Sequence, residues 1–200
     1  MSESAVKDRA GGRFGMWLFL YSEIMLFTGL FILYAAYFRQ YRPDFVRAGK
    51  ELNLVFGIAN TVILLVSSFL VAASVTAIRQ ARKGLAFACL AGAMALGSAF
   101  LVNKYFEWGH KIGAGIYPNS PGLLSGPPGE AMFYSLYYTI TGLHGIHIVI
   151  GLTLLAVSAV MVARGGIAAG NDTVLENCGL YWHLVDLIWI FIFPLFYLIL

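Results

Sequence analysis

AMFYSLYYTITGLHGIHIVIGLTLLAVSAVMVA, residues 131–163, contains no Asp, Glu, Lys or Arg, and this run decides the fold class. A helix needs about 20 apolar residues to cross a bilayer, so the run is long enough to tilt or to project beyond the membrane. In lipid every backbone N–H and C=O needs a partner within the protein, which leaves helices or closed barrels as spanning structures. A barrel strand alternates polar and apolar side chains over about 10 residues. The run has no such alternation and is read as a helix.

Four more apolar runs accompany it, at about 14–38, 52–78, 84–108 and 178–200. The chain is therefore expected to be all-α, a polytopic bundle of five transmembrane helices forming one membrane domain over 1–200. The connections carry the expected breaks. RQYRPDFVRAGKE (39–51) closes the first span with charge and a proline, and Arg79, Arg82 and Lys83 close the second. Residues 109–130 hold Pro118, Pro121, Pro127 and Pro128, which predicts an irregular surface loop, and GGIAAGNDTVLEN (165–177) leads into the last span. The basic tail with Lys7, Arg9 and Arg13 precedes an apolar run too long for the 7–15 residues of a secretory signal, so that run is read as a retained span.

Composition agrees. The chain is 60% hydrophobic and 12% charged, against roughly 45–50% and about 25% for soluble domains. Its net charge of +3 lies in the connections, which argues for basic juxtamembrane segments and against nucleic acid. Cys89 and Cys178 show no CxxC or haem-attachment spacing, so disulfide, zinc and covalent haem have no support. With the N-terminus cytoplasmic, seven basic residues fall inside and six outside, and this count does not orient the chain.

The informative residues are polar groups inside the spans. Glu23 lies about 15 Å into the first span at the helical rise, where a carboxylate costs several kcal/mol unless it is protonated, paired or hydrated. It is either a packing group or a proton-linked or lipid-pocket group. Gly15, Ser22, Gly29 and Ala36 recur every seven residues beside it, a seam where another helix can approach. His144 and His147, and again His183 and Asp186, stand three apart on neighbouring positions of one helical face. Two such histidines can share one ion but cannot clamp a haem from opposite sides. The favoured account is that these four groups satisfy one another across a helix interface. Tyr181 and Trp182 fit an interfacial belt, Glu107, Trp108 and Glu176 fit the membrane boundary, and Tyr134, Tyr137 and Tyr138 form an aromatic cluster at the entry to span four.

These stretches carry a resemblance. YYTITGLHGIHIVIGL (137–152), ENCGLYWHLVDLIWIFIFPLFYL (176–198) and GMWLFLYSEIMLF (15–27), with Asn60-Thr61, Ser67-Ser68, Lys104 and Glu107-Trp108 between them, resemble subunit III of haem-copper respiratory oxidases. They do so in family order, and the chain looks like the family's short five-helix form. The resemblance matches Glu23 to the family's intramembrane glutamate, and His144, His147, His183 and Asp186 to its inter-helix polar groups.

It implies a subunit with no active site, metal or cofactor of its own, packed on the catalytic subunit I and beside subunit II, which hold haem and copper. Structural phospholipids are expected in a cleft between its helix groups. The implied role is to stabilise the catalytic subunit and support proton uptake in a proton-pumping terminal oxidase, with cytochrome c oxidase favoured. An accessory subunit of a quinol oxidase or nitric oxide reductase system is the alternative within the family, and a free-standing proton or solute transporter is the alternative of another class. The implied location is a bacterial inner membrane, with the N-terminus cytoplasmic and the C-terminus opposite.

Overall fold

The computed structural model describes residues 3–199, with side chains from residue 11 onward except that of residue 13. The side chains of Lys7, Arg9 and Arg13, which entered the charge count, and Leu200, the expected end of span five, lie outside the described residues. Seven helices are present among those described: α1 Glu3–Gln40, α2 Arg42–Lys50, α3 Leu54–Arg79, α4 Lys83–Gly113, α5 Pro121–Ser125, α6 Pro128–Ala163 and α7 Thr173–Tyr197. Five of them, α1, α3, α4, α6 and α7, are long and apolar enough to cross a membrane.

The boundaries differ from expectation where local capping outweighs the apolar pattern. Proline in the first turn loses no hydrogen bond, because the first N–H groups of a helix have no intrahelical partner. Pro128 therefore starts α6 ahead of the apolar run, and Pro121 starts α5 behind the Ser120 hydroxyl, which accepts from Leu123 N–H. The 109–130 connection is thus part helix. Most of the 39–51 connection also folds, as α2, with Asp44 in its first turn and Arg47 and Lys50 in its last, each sign facing the favourable end of the helix dipole. Asn53 caps α3 by accepting from Val55 N–H at 3.0 Å. The last span starts early because Glu176 is accommodated in the first turn of α7.

Helices α3, α4, α6 and α7 form the packed bundle. α3 packs on α4 and α7, and α6 packs on α4 and α7. α1 lies at the edge against α7, α6 and α2. Its buried side chains, Leu20, Phe27 and Tyr34, repeat every seven residues as a single stripe, and the Tyr34 hydroxyl donates to the Leu195 carbonyl. The small-residue seam does not serve as a contact within the chain: a Cβ at Gly15 or Gly29 would meet nothing within 4 Å. α2 plugs the same end of the bundle with Phe45, whose ring lies 5.4 Å from both Tyr34 and Phe133.

The bundle closes around tryptophans of α7. Trp182 is lodged between α4 and α6 at two glycines, where a Cβ on Gly97 or Gly151 would stand 2.7 Å from the indole. Its Nε1–H donates to Ser67 Oγ at 3.1 Å, and Ser67 donates to the Ala93 carbonyl at 3.0 Å. Trp189 donates to Thr61 Oγ1 at 3.0 Å. Both indoles thus lie on α3 hydroxyls. The expectation that Tyr181 and Trp182 form an interfacial belt is incorrect, since both are core residues. Two glycines and a hydroxyl make a socket there for a ring the belt reading left at the surface.

A buried ion pair ties three helices together. Lys104 Nζ donates to Glu107 Oε2 at 3.0 Å and to the hydroxyls of Tyr137 on α6 and Tyr197 on α7 at 3.0 and 2.9 Å. These three bonds use all three ammonium hydrogens. Both tyrosines donate to Glu107 Oε1, at 2.8 and 2.5 Å. Glu107 is 6% exposed and faces the inside of the bundle. α4 runs on to Gly113, which puts Glu107 about 9 Å below the helix end at the helical rise.

Two outcomes test this packing. Gly151→Ala should destabilise the bundle by about 1–3 kcal/mol through overpacking, whereas Gly29→Ala should leave the detergent melting temperature unchanged. Glu107→Leu should cost about 3–5 kcal/mol by stranding the Lys104 charge, and Lys104→Met combined with it should recover much of that loss. Reversible unfolding in mixed micelles measures both.

Candidate functional site

The site grows from one turn of α6. His147 Nδ1 lies 2.7 Å from the carbonyl of Leu143, one helical turn back. A carbonyl only accepts, so Nδ1 carries a hydrogen. The opposite nitrogen, Nε2, is 2.7 Å from Glu23 Oε2 on α1. With Nδ1 already donating, a single proton remains between Nε2 and the carboxylate. Held by the ring, it makes an ion pair; held by the carboxyl, it makes a neutral hydrogen bond.

The surroundings of this pair are apolar on one side and open on the other. Phe27 packs edge-on to the imidazole, with centroids 5.3 Å apart, and Tyr181 donates to the His147 carbonyl at 3.3 Å. The side chains of His147 and Glu23 retain 10% and 15% exposure, at the junction of α1 with α6. Within such a pair the proton can pass from one group to the other with no change in net charge, which suits a site in the membrane interior.

The other singled-out groups separate from it. His144 is fully buried between Phe100 and Trp189, with centroids at 5.5 and 5.3 Å, and neither nitrogen makes a hydrogen bond. His183 Nδ1 bonds the Ser68 hydroxyl of α3 at 2.6 Å. Asp186 is 4% exposed, and neither of its oxygens completes a hydrogen bond, although Ser68 stands beside it. The expectation that these four groups satisfy one another is therefore corrected. The three-residue spacing sends His144 into the aromatic core and His147 to Glu23 of α1, while His183 turns to Ser68 of α3. Among the described residues no three of His, Cys, Asp and Glu come together as a metal-binding group.

The boundary residues divide similarly. Glu176 stands at the start of α7, 3.4 Å from Arg79 of α3, which also bonds Asp172 at 2.7 Å. Trp108 lines an apolar groove of about 670 Å³ between α4 and α6, together with Phe100, Tyr105, Gly142, Gly145 and Val149. Sequence reasoning placed Lys104 and Ser68 only within family motifs and missed Tyr197. The i,i+3 spacing of Lys104 and Glu107 in an apolar run was the available signal for the ion pair. Nothing local marked Tyr197 as its partner.

Residues 2–199 match the family described as cytochrome c oxidase subunit III. Cytochrome bo(3) ubiquinol oxidase subunit 3 of Pseudomonas aeruginosa is 31% identical over 186 residues, 92% of this chain and 83% of that protein. Cytochrome c oxidase subunit 3 of Synechocystis is 33% identical over 189 residues, 93% and 75%. Heme-copper oxidase subunit I+III of Aeropyrum pernix is 28% identical over 200 residues, 94% of this chain and 22% of that longer protein. The resemblance read from the motifs is thus borne out over nearly the whole sequence, and the chain belongs to the cytochrome c oxidase subunit III family of the haem-copper oxidases.

Proposed function

We propose that this chain is a non-catalytic subunit that stabilises the catalytic subunit of a proton-pumping terminal oxidase and supports its proton uptake. The observation that carries this reading is the Glu23–His147 pair, one proton held between two helices at a position that still reaches the bundle surface. Redox chemistry is assigned to subunits I and II, with haem and copper there. The name of the Aeropyrum relative joins I and III in one protein, which supports subunit I as the direct neighbour.

Relatives named for ubiquinol and for cytochrome c resemble the chain about equally. This supports a role common to both, in which electrons enter elsewhere in the complex. Structural phospholipid is assigned to the α4–α6 groove, whose apolar walls suit an acyl chain. The proposed location is the bacterial inner membrane, with the N-terminus cytoplasmic. Arg79, Arg82, Lys83 and Arg164 then face the cytoplasm, at the ends of α3, α4 and α6.

Glu23→Gln keeps the size and removes the ionisable group. In the assembled oxidase it should leave the haem absorption spectrum unchanged while lowering steady-state turnover or shortening the active lifetime severalfold. Stopped-flow proton uptake and prolonged turnover assays measure this. Unchanged uptake and lifetime would reduce the pair to packing.

A further inference from the structure

Asp186, Ser68 and His183 form a short row on one side of α7. The Ser68 hydroxyl bonds His183 Nδ1 at 2.6 Å and also stands beside the Asp186 carboxyl, whose oxygens are buried without a completed hydrogen bond. Among the described residues no other polar side chain bonds Asp186, which depends on Ser68 for a partner. His183 Nε2 has no partner among the described residues and, unlike the nitrogens of His144, is not enclosed. It reaches the surface of the bundle.

That surface is a cleft. α1 and α3 both pack on α7, but no contact joins α1 to α3 among the described residues. α1 holds the side of α7 that carries Tyr181 and Phe191, and α3 holds the side with Trp182 and Trp189. Between them runs a stripe of His183, Leu187 and Ile190 at helical spacing, with Leu187 49% exposed. Leu65, one turn from Ser68 on α3, is 48% exposed beside it. His183 stands ten residues beyond Thr173, about 15 Å along α7 at the helical rise, and inside the apolar run beyond the Glu176–Arg79 contact.

The proton arrangement of the row fixes what it presents. If Asp186 carries a proton, it donates to Ser68, Ser68 donates to His183 Nδ1, and Nε2 bears the remaining imidazole hydrogen. If Asp186 is ionised, Ser68 donates to it, Nδ1–H donates to Ser68, and charge balance again puts a hydrogen on Nε2. Both of these arrangements of zero net charge therefore end in an N–H pointing into the cleft. Lipid tails offer that donor nothing to bond, and ester oxygens lie at the membrane interface. A neighbouring polypeptide helix carries acceptors at this depth, and polar side chains bond across helices in membranes.

We propose that the cleft of α7 between α1 and α3 is the docking face for a membrane helix of the catalytic subunit, with His183 Nε2–H donating to an acceptor on that helix. The proposal rests on the reading of this chain as an oxidase subunit. The exposed leucines and isoleucine supply the apolar contact, and His183 sets the register. Asp186 and Ser68 act through His183 as positioning residues.

The test uses cells that make the whole complex, with a photo-crosslinking amino acid at Leu187 or, on the α4–α6 groove, at Val149. The proposal expects Leu187 to cross-link to the haem-bearing subunit and Val149 not to. Cross-linking to that subunit from Val149 alone, or lipid adducts alone from Leu187, overturns the proposal and leaves the oxidase reading intact. If the unmodified chain co-purifies with no haem-bearing subunit, both fall. The hydrogen bond is read from retention on the haem-bearing subunit in mild detergent. His183→Phe should lower it about tenfold, the equivalent of one hydrogen bond. His183→Gln, which restores an N–H near Nε2, should recover it. Equal loss from both variants would remove the hydrogen bond from the account.

Discussion

A polar group inside a lipid bilayer has no water to fall back on, so each one present must be answered by the protein itself. That constraint organises this chain more than hydrophobicity does, because lipid and leucine are alike to a helix and give it little reason to choose a neighbour. Lys104 shows the consequence. Its three hydrogens are taken by Glu107, Tyr137 and Tyr197, which belong to α4, α6 and α7, and the arrangement holds only if those helices stand where they do. Trp182 on Ser67, Trp189 on Thr61 and Asn103 on Asn60 repeat the principle along α3. The polar motifs that carry the family resemblance are thus the joints of the bundle.

The same constraint separates the interior from the surfaces left for partners. Groups that complete one another, such as Lys104 with Glu107, fasten the four-helix bundle. Groups completed on one side only mark its edge. α1 belongs to that edge, buried along a single stripe and holding Glu23 against His147 on α6. The far side of α1, with Gly15 and Gly29, is open to a close neighbour that the described residues do not supply. The helix least buried within the bundle thus carries a shared-proton pair.

Much of the fold was legible from residue order. Five long apolar runs, with proline and charge between them, forecast five spanning helices, because run length in lipid admits few structures. Helix ends were harder to place. The first turn tolerates proline and acids, so α6 and α7 begin before their apolar runs, and α2 hides in a charged segment that reads as a loop. Within the site, sequence found the unusual residues but not their partners. Spacing of three put His144 beside His147 along the helix, yet a turn of about 100° per residue sends one ring into the aromatic core and the other to Glu23. Partners more than a hundred residues apart, such as Ser68 and His183 or Glu23 and His147, are set by which helices become neighbours, and no local pattern encodes that. Trp182 was misplaced for the same reason, since its socket is built from Gly97, Gly151 and Ser67 on three other helices.

The central claim, that this bundle is completed by a haem-bearing catalytic subunit, is tested most directly by native mass spectrometry of the complex released in mild detergent. The account predicts that the 21.9 kDa chain flies bound to a larger haem-carrying subunit, with phospholipid adducts that persist at low activation energy. A chain found alone or only with copies of itself, in a preparation where the catalytic subunit is intact, would contradict it.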